Sequence, residues 1–375
     1  FIPYHLIHLI IFKYVVQHYI YLLIFIGLFS ASKAQDFKVI SGPMLGHFTN
    51  TSQHFWMMLQ SSERKSQEQS LPNFNSYLNN YFKEKGQSIQ TITDCRYLNK
   101  GRVIVSGILN CQKQSIAKQN WSFLIGSCAF PYPFAVWSGR KKEIIFEAME
   151  AVEKDFMIWM GDNVYYMSGA WKNKDRMHRI NHKMRLKPGL HKFLTSCPQY
   201  AIWDDHDYGP NNSDAANIYK YNSLDIFKSY WPNPSYGLDT VPGIFTCFSQ
   251  QDADFFLLDS RFHASDSSML GKAQFEWLIK KLKTSTANFK FIVSGTQILI
   301  NNPFGEDLGD FGNAKQKLLA AIKQQKISGV LFLSGDRHYG EILKLEQKNQ
   351  YPLYEITSSP LTSILNPAYT QDSLA

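Results

Sequence analysis

The chain has too few cysteines for a disulfide scaffold. Five thiols (Cys95, Cys111, Cys128, Cys197 and Cys247) spread over 375 residues exclude the small stapled folds, which need dense pairing. Cys95 and Cys111 are candidates to pair across a hairpin. The odd count leaves at least one thiol with another job or none. No run of basic residues marks a nucleic-acid groove, although the formal net charge is +8; the lysines are scattered, as on a solvated surface. A positive mean field can attract phosphate-bearing substrates, yet by itself it decides nothing. Charge is sparse at 19% beside 44% hydrophobic residues, a globular rather than a disordered balance. Neither an internal repeat nor a low-complexity linker is present.

Aromatic side chains are abundant: 20 Tyr and 27 Phe within a 15% aromatic fraction. That content favours stiff, well-packed structure and many strands. The length suits a sizeable core and two domains. An apolar run from Tyr21 to Phe29 precedes the small residues Ser30, Ala31, Ser32 and Ala34, the layout of a cleaved signal segment. A membrane anchor needs roughly twenty unbroken apolar residues, and Lys13, Gln17 and His18 interrupt the run upstream. Residues 1–35 are therefore expected to be a signal peptide. Without it no stable membrane anchor remains, and the protein is expected to be exported to a periplasmic, cell-surface or secreted location. Because the chain starts at Phe1 and not Met, residues 1 to about 20 read as a mis-set start or the chain as a fragment.

Two textures follow. Residues 36–118 hold short apolar runs separated by polar stretches, with a helical pattern only at Asn75 to Lys85, and read as a small all-β domain. Residues 119–375 alternate apolar runs with amphipathic stretches. Strands are predicted at Ser122–Ile125, Phe156–Met160, Tyr200–Trp203, Phe255–Leu258, Phe289–Val293 and Val330–Leu333. Helices are predicted at Lys141–Lys154, His178–Thr195, Leu224–Tyr230, Lys272–Leu282 and Ala314–Gln325. This is layered α/β structure with strands buried on both faces.

Nearly every predicted strand runs into a polar cluster: Gly126-Ser-Cys128, Gly161-Asp162-Asn-Val-Tyr165, Asp204-Asp-His-Asp207, Asp259-Ser-Arg261 and Ser334-Gly-Asp-Arg-His338. In open α/β sheets the ligand crevice lies beyond the carboxyl ends of the strands, so these clusters can converge. Singly, each has a bland reading: Gly-Asp pairs make turns, and a lone Cys is usually a small buried hydrophobe. Asp204, Asp205, His206 and Asp207 differ, because three adjacent carboxylates repel one another unless a cation or strong hydrogen bonds compensate. Carboxylate, imidazole, phenolate and thiolate donors together suit a trivalent iron beside a harder divalent ion.

The ordered motifs Gly161-Asp162-x-x-Tyr165, Trp203-Asp-Asp-His206-Asp-Tyr-Gly-Pro-Asn211 and Ser334-Gly-Asp-Arg-His338 resemble the PhoD-type alkaline phosphatase/phosphodiesterase family of calcineurin-like metallophosphoesterases. The resemblance runs from about Trp121 to Thr362, and Ser41-Gly-Pro-Met-Leu-Gly46 resembles the opening strand of the family's N-terminal β-sandwich. It implies an α/β fold: a layered metallophosphoesterase β-sandwich flanked by helices, preceded by a small Ig-like all-β domain. It further implies hydrolysis of phosphate esters, mono- or diesters, by a metal-bound hydroxide. Cys128, Asp162, Tyr165, Asp336 and His338 are the implied ligands of a ferric ion. Asp162 is implied to bridge to a second ion that Asp205 also binds. That ion is calcium by family, with zinc or manganese as alternatives.

His206 is placed to contact the phosphate and protonate the leaving oxygen, while Arg337 and Arg261 are candidates for a phosphate contact or for support behind the ligands. Asn163 and Asn211 are further oxygen donors. Two departures stand out. Tyr166 and Met167 occupy the place where some relatives carry a phosphate-binding Arg, and Gln297 stands where many metallophosphoesterases have a metal-binding His. The family continues past the Thr357-to-Pro360 stretch, so truncation at the C-terminus is expected. No protein partner and no specific nucleic acid are predicted. The alternative function is a non-catalytic metal-binding or surface-adhesion protein on the same scaffold.

Overall fold

Four antiparallel strands and a helix begin the described chain: β1 (Phe37–Phe48), β2 (Ser52–Ser61), α1 (Leu71–Lys83), β3 (Ser88–Leu98) and β4 (Arg102–Asn110). The structure is a computed structural model, and it describes residues 37–61, 71–111, 120–130, 144–300, 307–348 and 350–366. The expected signal segment lies outside the described residues. The sheet order is β1-β2-β4-β3, and strand alternation gives it two buried faces. Phe55, Met57 and Leu59 pack with Phe74, Leu78 and Phe82 of α1. Trp56 and Met58 point the other way and join the main core, where Trp56 Nε1 donates to Ser229 O at 2.7 Å. Among the described residues the N-terminal unit is one sheet covered by a helix, where two facing sheets were expected.

The hairpin register rules out the Cys95–Cys111 pairing. Cys95 sits opposite Val105, and Cys111 lies six residues beyond it, roughly 20 Å along the strand direction. Both thiols are free.

The body continues with β5 (Phe123–Gly126), α2 (Ile144–Ala151), β6 (Phe156–Met160), α3 (Lys174–Arg185), α4 (Pro188–Leu194), β7 (Gln199–Ile202), α5 (Asp205–Tyr208) and α6 (Lys220–Tyr230). Then come β8 (Thr246–Gln250), β9 (Ala253–Leu257), α7 (Gly271–Thr284), β10 (Phe289–Ser294), α8 (Ala314–Gln324), β11 (Val330–Ser334), β12 (Gly340–Leu345) and β13 (Leu353–Ser358). One helix expected over 178–195 is two, because Pro188 lacks the N–H a continuous helix needs and instead starts α4.

Strands β5-β6-β7 form a parallel three-stranded sheet. The six-stranded sheet runs β12-β13-β11-β10-β9-β8, parallel in its centre with antiparallel strands at both edges. Aromatic rings fill the space between the two sheets. Phe123 stacks on Phe156 at 5.2 Å, Phe156 meets Phe255 edge-on at 5.4 Å, and Phe255 stacks on Phe291 at 4.9 Å. Such pairs add about 0.5–1.5 kcal/mol each beyond area burial, which is where much of the aromatic content is used. No helix among the described residues is long and apolar enough to cross a membrane.

Candidate metal centre

The carboxyl ends of β5, β6, β7 and β11 meet at one rim of this sandwich. Close approach there depends on glycine. A Cβ on Gly335 would stand 2.6 Å from both Met160 O and Ser127 Cβ, and one on Gly161 (φ +90°) 2.6 Å from Asp204 Cβ. Backbone hydrogen bonds then sew the ends together: Cys128 N–H to Gly161 O at 3.2 Å, Ala129 N–H to Asp162 O at 2.9 Å and Leu361 N–H to Ser127 O at 2.8 Å. Nine described non-glycine residues have positive φ, and five of them sit here: Cys128, Asp162, Asn212, Asp336 and His338. Each costs about 1–3 kcal/mol unless its surroundings over-determine it. Strain of this kind collected at one rim points to function.

Two groups of donor atoms share one carboxylate. The ligand atoms of Cys128, Asp162 and His338 lie within 4.8 Å of one another, and so do those of Asp162, Asp205 and His206. Cys128 Sγ is 3.7 Å from Asp162 Oδ2, and the Tyr165 hydroxyl donates to that same oxygen at 2.9 Å. The other oxygen, Oδ1, accepts the His206 N–H at 3.2 Å. Asp205 is oriented by backbone as well, accepting the His206 N–H at 2.9 Å and the Asn212 N–H at 2.7 Å. The His206 ring lies over Tyr165 with centroids 4.4 Å apart. These groups open into a cavity of about 180 Å³ lined by Asp162, Asp205, His206, Asp336, Arg337 and His338, together with Asn211, Asn212 and Asn366.

The electrostatics of the metal-free protein are unfavourable. Burial pushes the Asp162 carboxyl well above the usual range, and Asp205, Asp204, Asp207 and Asp336 push it further. Burial likewise raises the Cys128 thiol, with Asp162 and Asp336 adding to it, and holds the Tyr165 phenol far above its ordinary value. Burial also opposes ionisation of Asp205, but Arg261, His206 and the Asn212 N–H outweigh it and leave Asp205 below the usual range. Burial lowers His338, which favours the neutral imidazole that ligates metals. Two cations would reverse the sign of these costs. The donor set fits them: thiolate, phenolate and imidazole on the Cys128 side, carboxylate and imidazole on the Asp205 side.

The other expected site residues fall at different depths. Asp336 and Arg337 both line the cavity. The Asp336 carboxylate is outside the two donor groups, with Oδ2 at 3.6 Å from Arg337 Nη1. Arg261 does not line the cavity. It lies behind it, 1% exposed, with Nε donating to Asp204 Oδ1 at 2.6 Å. That place, behind Asp204 and off the cavity wall, suits the second of the two uses expected for Arg261, support behind the ligands. Asp259 is a staple, accepting Trp203 Nε1–H at 2.8 Å and the Ile244 N–H at 2.9 Å. Asn163 donates to Ile202 O at 2.8 Å and is not at the cavity, whereas Asn211 is. Gln297 donates to Glu341 Oε2 at 3.0 Å and Thr357 Oγ1 at 2.8 Å, so it too is outside the cavity. Asn212 and Asn366 were not anticipated. Asn212 lies one residue past the Asp204–Asn211 motif, the only hint the sequence held.

A solved structure titled "Structure of PhoD" matches with TM-score 0.63 and 14% identity, over 85% of this chain and 76% of that one. The purple acid phosphatase PPD1 from yellow lupin (Lupinus luteus) seeds matches with TM-score 0.55 and 9% identity, over 89% of this chain and 67% of that one. At these identities the likeness is one of fold. Residues 247–374 match the PhoD-like phosphatase family model. No curated protein matches the sequence. The matched stretch carries Asp336 and His338. Cys128, Asp162, Tyr165 and Asp205 precede it and join it through the fold.

Proposed function

We propose that this protein hydrolyses phosphate esters at a two-metal centre. The observation that carries the reading is the Asp162 carboxylate, common to two groups of donors whose atoms lie within 4.8 Å of one another. Cys128, Asp162, Tyr165 and His338, with Asp336 beside them, would hold a ferric-type ion. Asp162 and Asp205 would hold the second, for which calcium is the first choice and zinc or manganese the alternatives. When bound, two such ions supply Lewis acidity, easing deprotonation of an attacking water and drawing charge from the phosphoryl oxygens.

The chain's own residues do the rest. His206 lines the cavity and hands a proton to the departing alcohol oxygen. Arg337, also on the cavity wall, donates to phosphate oxygens. Arg261 holds Asp204 from behind and so fixes the loop that presents Asp205. Residues 21–34 support an exported location, where phosphate esters reach the enzyme from outside the cell.

The test combines elemental analysis of the purified protein with hydrolysis of p-nitrophenyl phosphate and bis(p-nitrophenyl) phosphate. Two metals per chain and turnover of at least one ester, abolished by chelation, are expected. Protein that holds no metal, or that loads metal and turns over neither ester, contradicts the proposal.

A further inference from the structure

We propose that Asp207, which touches neither cavity nor expected metal, is the positioning residue that keeps the two ligand-bearing loops in register. The inference rests on the two-metal reading and adds to it a residue outside the site. Asp207 is 5% exposed and absent from the cavity wall. Its Oδ1 accepts the N–H groups of Asn163 at 3.0 Å and Val164 at 3.2 Å. Its Oδ2 accepts the Asp204 N–H at 3.1 Å and shares that of Asn163 at 3.1 Å.

Those donors come from two separate loops. Asn163 and Val164 stand between Asp162 and Tyr165, after β6. Asp204 stands immediately before Asp205, after β7. One carboxylate therefore ties the loop carrying the shared ligand to the loop carrying the second metal's ligand. Single hydrogen bonds also cross between the two segments, from Tyr166 N–H to His206 O at 3.3 Å, from the His206 backbone N–H to Asp162 Oδ1 at 3.2 Å and from Asn163 Nδ2 to Ile202 O at 2.8 Å. Asp207, however, is the carboxylate that gathers backbone N–H groups from both loops. Asp162 itself has φ 54°, a conformation that persists only where neighbours over-determine it. The hydrogen bonds from the next two residues to Asp207 supply that constraint.

The chemistry requires a carboxylate. Three N–H groups converge on Asp207, and an ionised carboxylate offers acceptors only. Asparagine of the same shape would turn an NH₂ toward one of those donors, so Asp207→Asn both loses a bond and sets donor against donor. The change is confined to the relation between the loops, since every direct ligand stays in place.

The experiment uses the full chain, stripped of metal, and manganese(II) alone as the probe. Manganese affinity is measured by calorimetry, and amide hydrogen exchange is followed across 162–166. Glu355→Gln serves as the comparison. Glu355, on β13, is another fully buried carboxylate; it accepts the Ile298 and Leu299 N–H groups at 2.8 and 2.6 Å from a segment that carries no expected ligand.

Asp207→Asn is expected to bind manganese roughly 10–100-fold more weakly and to exchange the Asn163 and Val164 amides faster, while Glu355→Gln keeps wild-type affinity. Wild-type affinity in Asp207→Asn, or an equal loss in Glu355→Gln, overturns the inference alone. A wild type that takes up no manganese or other metal overturns the two-metal reading with it. In metal-free wild type the Asn163 and Val164 amides are expected to be protected already; fast exchange there sinks the proposal whatever the variants do.

Discussion

Arg261 donates its Nε hydrogen to Asp204 Oδ1 at 2.6 Å, with both side chains 1% exposed. A second guanidinium nitrogen donates to Thr296 Oγ1 at 3.1 Å. Removing one partner of a buried pair leaves the other charge without compensation. Arg261→Met is expected to lose about 3–5 kcal/mol of stability, read from urea unfolding. Adding Asp204→Asn removes the stranded charge and should recover part of that loss. A double variant no more stable than Arg261→Met contradicts the pairing.

Asp162→Asn should act with opposite signs on function and on stability. As the carboxylate common to both donor groups, its loss is expected to lower activity by more than the roughly 100-fold upper range seen for residues that merely support ligands. The same change removes a carboxyl whose ionisation is opposed by burial first and then by Asp205, Asp204, Asp207 and Asp336, so the metal-free variant should melt at a higher temperature than metal-free wild type. Full activity in the variant, or a lower melting temperature without metal, contradicts this account.

How much of this was legible before the fold is best judged residue by residue. Phe156–Met160 is a strand over the residues expected, because five consecutive buried apolar side chains between turn residues leave little choice. The end-of-strand polar clusters are just as plain. Their depth is not. Arg261 and Arg337 both follow strands beside acidic residues, yet one is sealed behind the site and the other lines it; only packing separates them. Asp205 and Asp207 likewise sit two apart, and the four-residue helix α5 sends one to the cavity and the other to backbone N–H groups. Strands β12 and β13 went unread because their apolar residues alternate with polar ones near a sheet edge.

His206 makes a prediction that depends on the leaving group. A proton donor matters most when the departing alcohol is a strong base and hardly at all for p-nitrophenolate. His206→Gln is therefore expected to slow alkyl phosphate esters about 100-fold or more, with a far smaller effect on p-nitrophenyl esters and metal content unchanged. Because one ring nitrogen also lies within 4.8 Å of an Asp162 and an Asp205 oxygen, metal analysis is the deciding control. Equal losses on both substrate types, together with lost metal, would make the ring a ligand instead.

Acid should loosen the N-terminal sheet from the body. His47 on β1 shares a hydrogen bond with the Tyr200 hydroxyl at 3.3 Å, and its ring meets that of His54 at 5.6 Å. Burial, followed by the nearness of His54, lowers His47 from 6.5 to about 4. In the unfolded chain the same imidazole takes up its proton near its ordinary value. The neutral, folded form thus contributes its full stability above pH 6.5 and loses it as the pH falls from there through about 4. His178 and His182 on α3 are lowered by burial to about 4 too and add to the slope. The melting temperature is expected to drop steadily over that window. His47→Phe, which keeps a ring against Tyr200 and Phe248 but cannot titrate, should flatten the drop; a slope identical to wild type would show that His47 does not carry it.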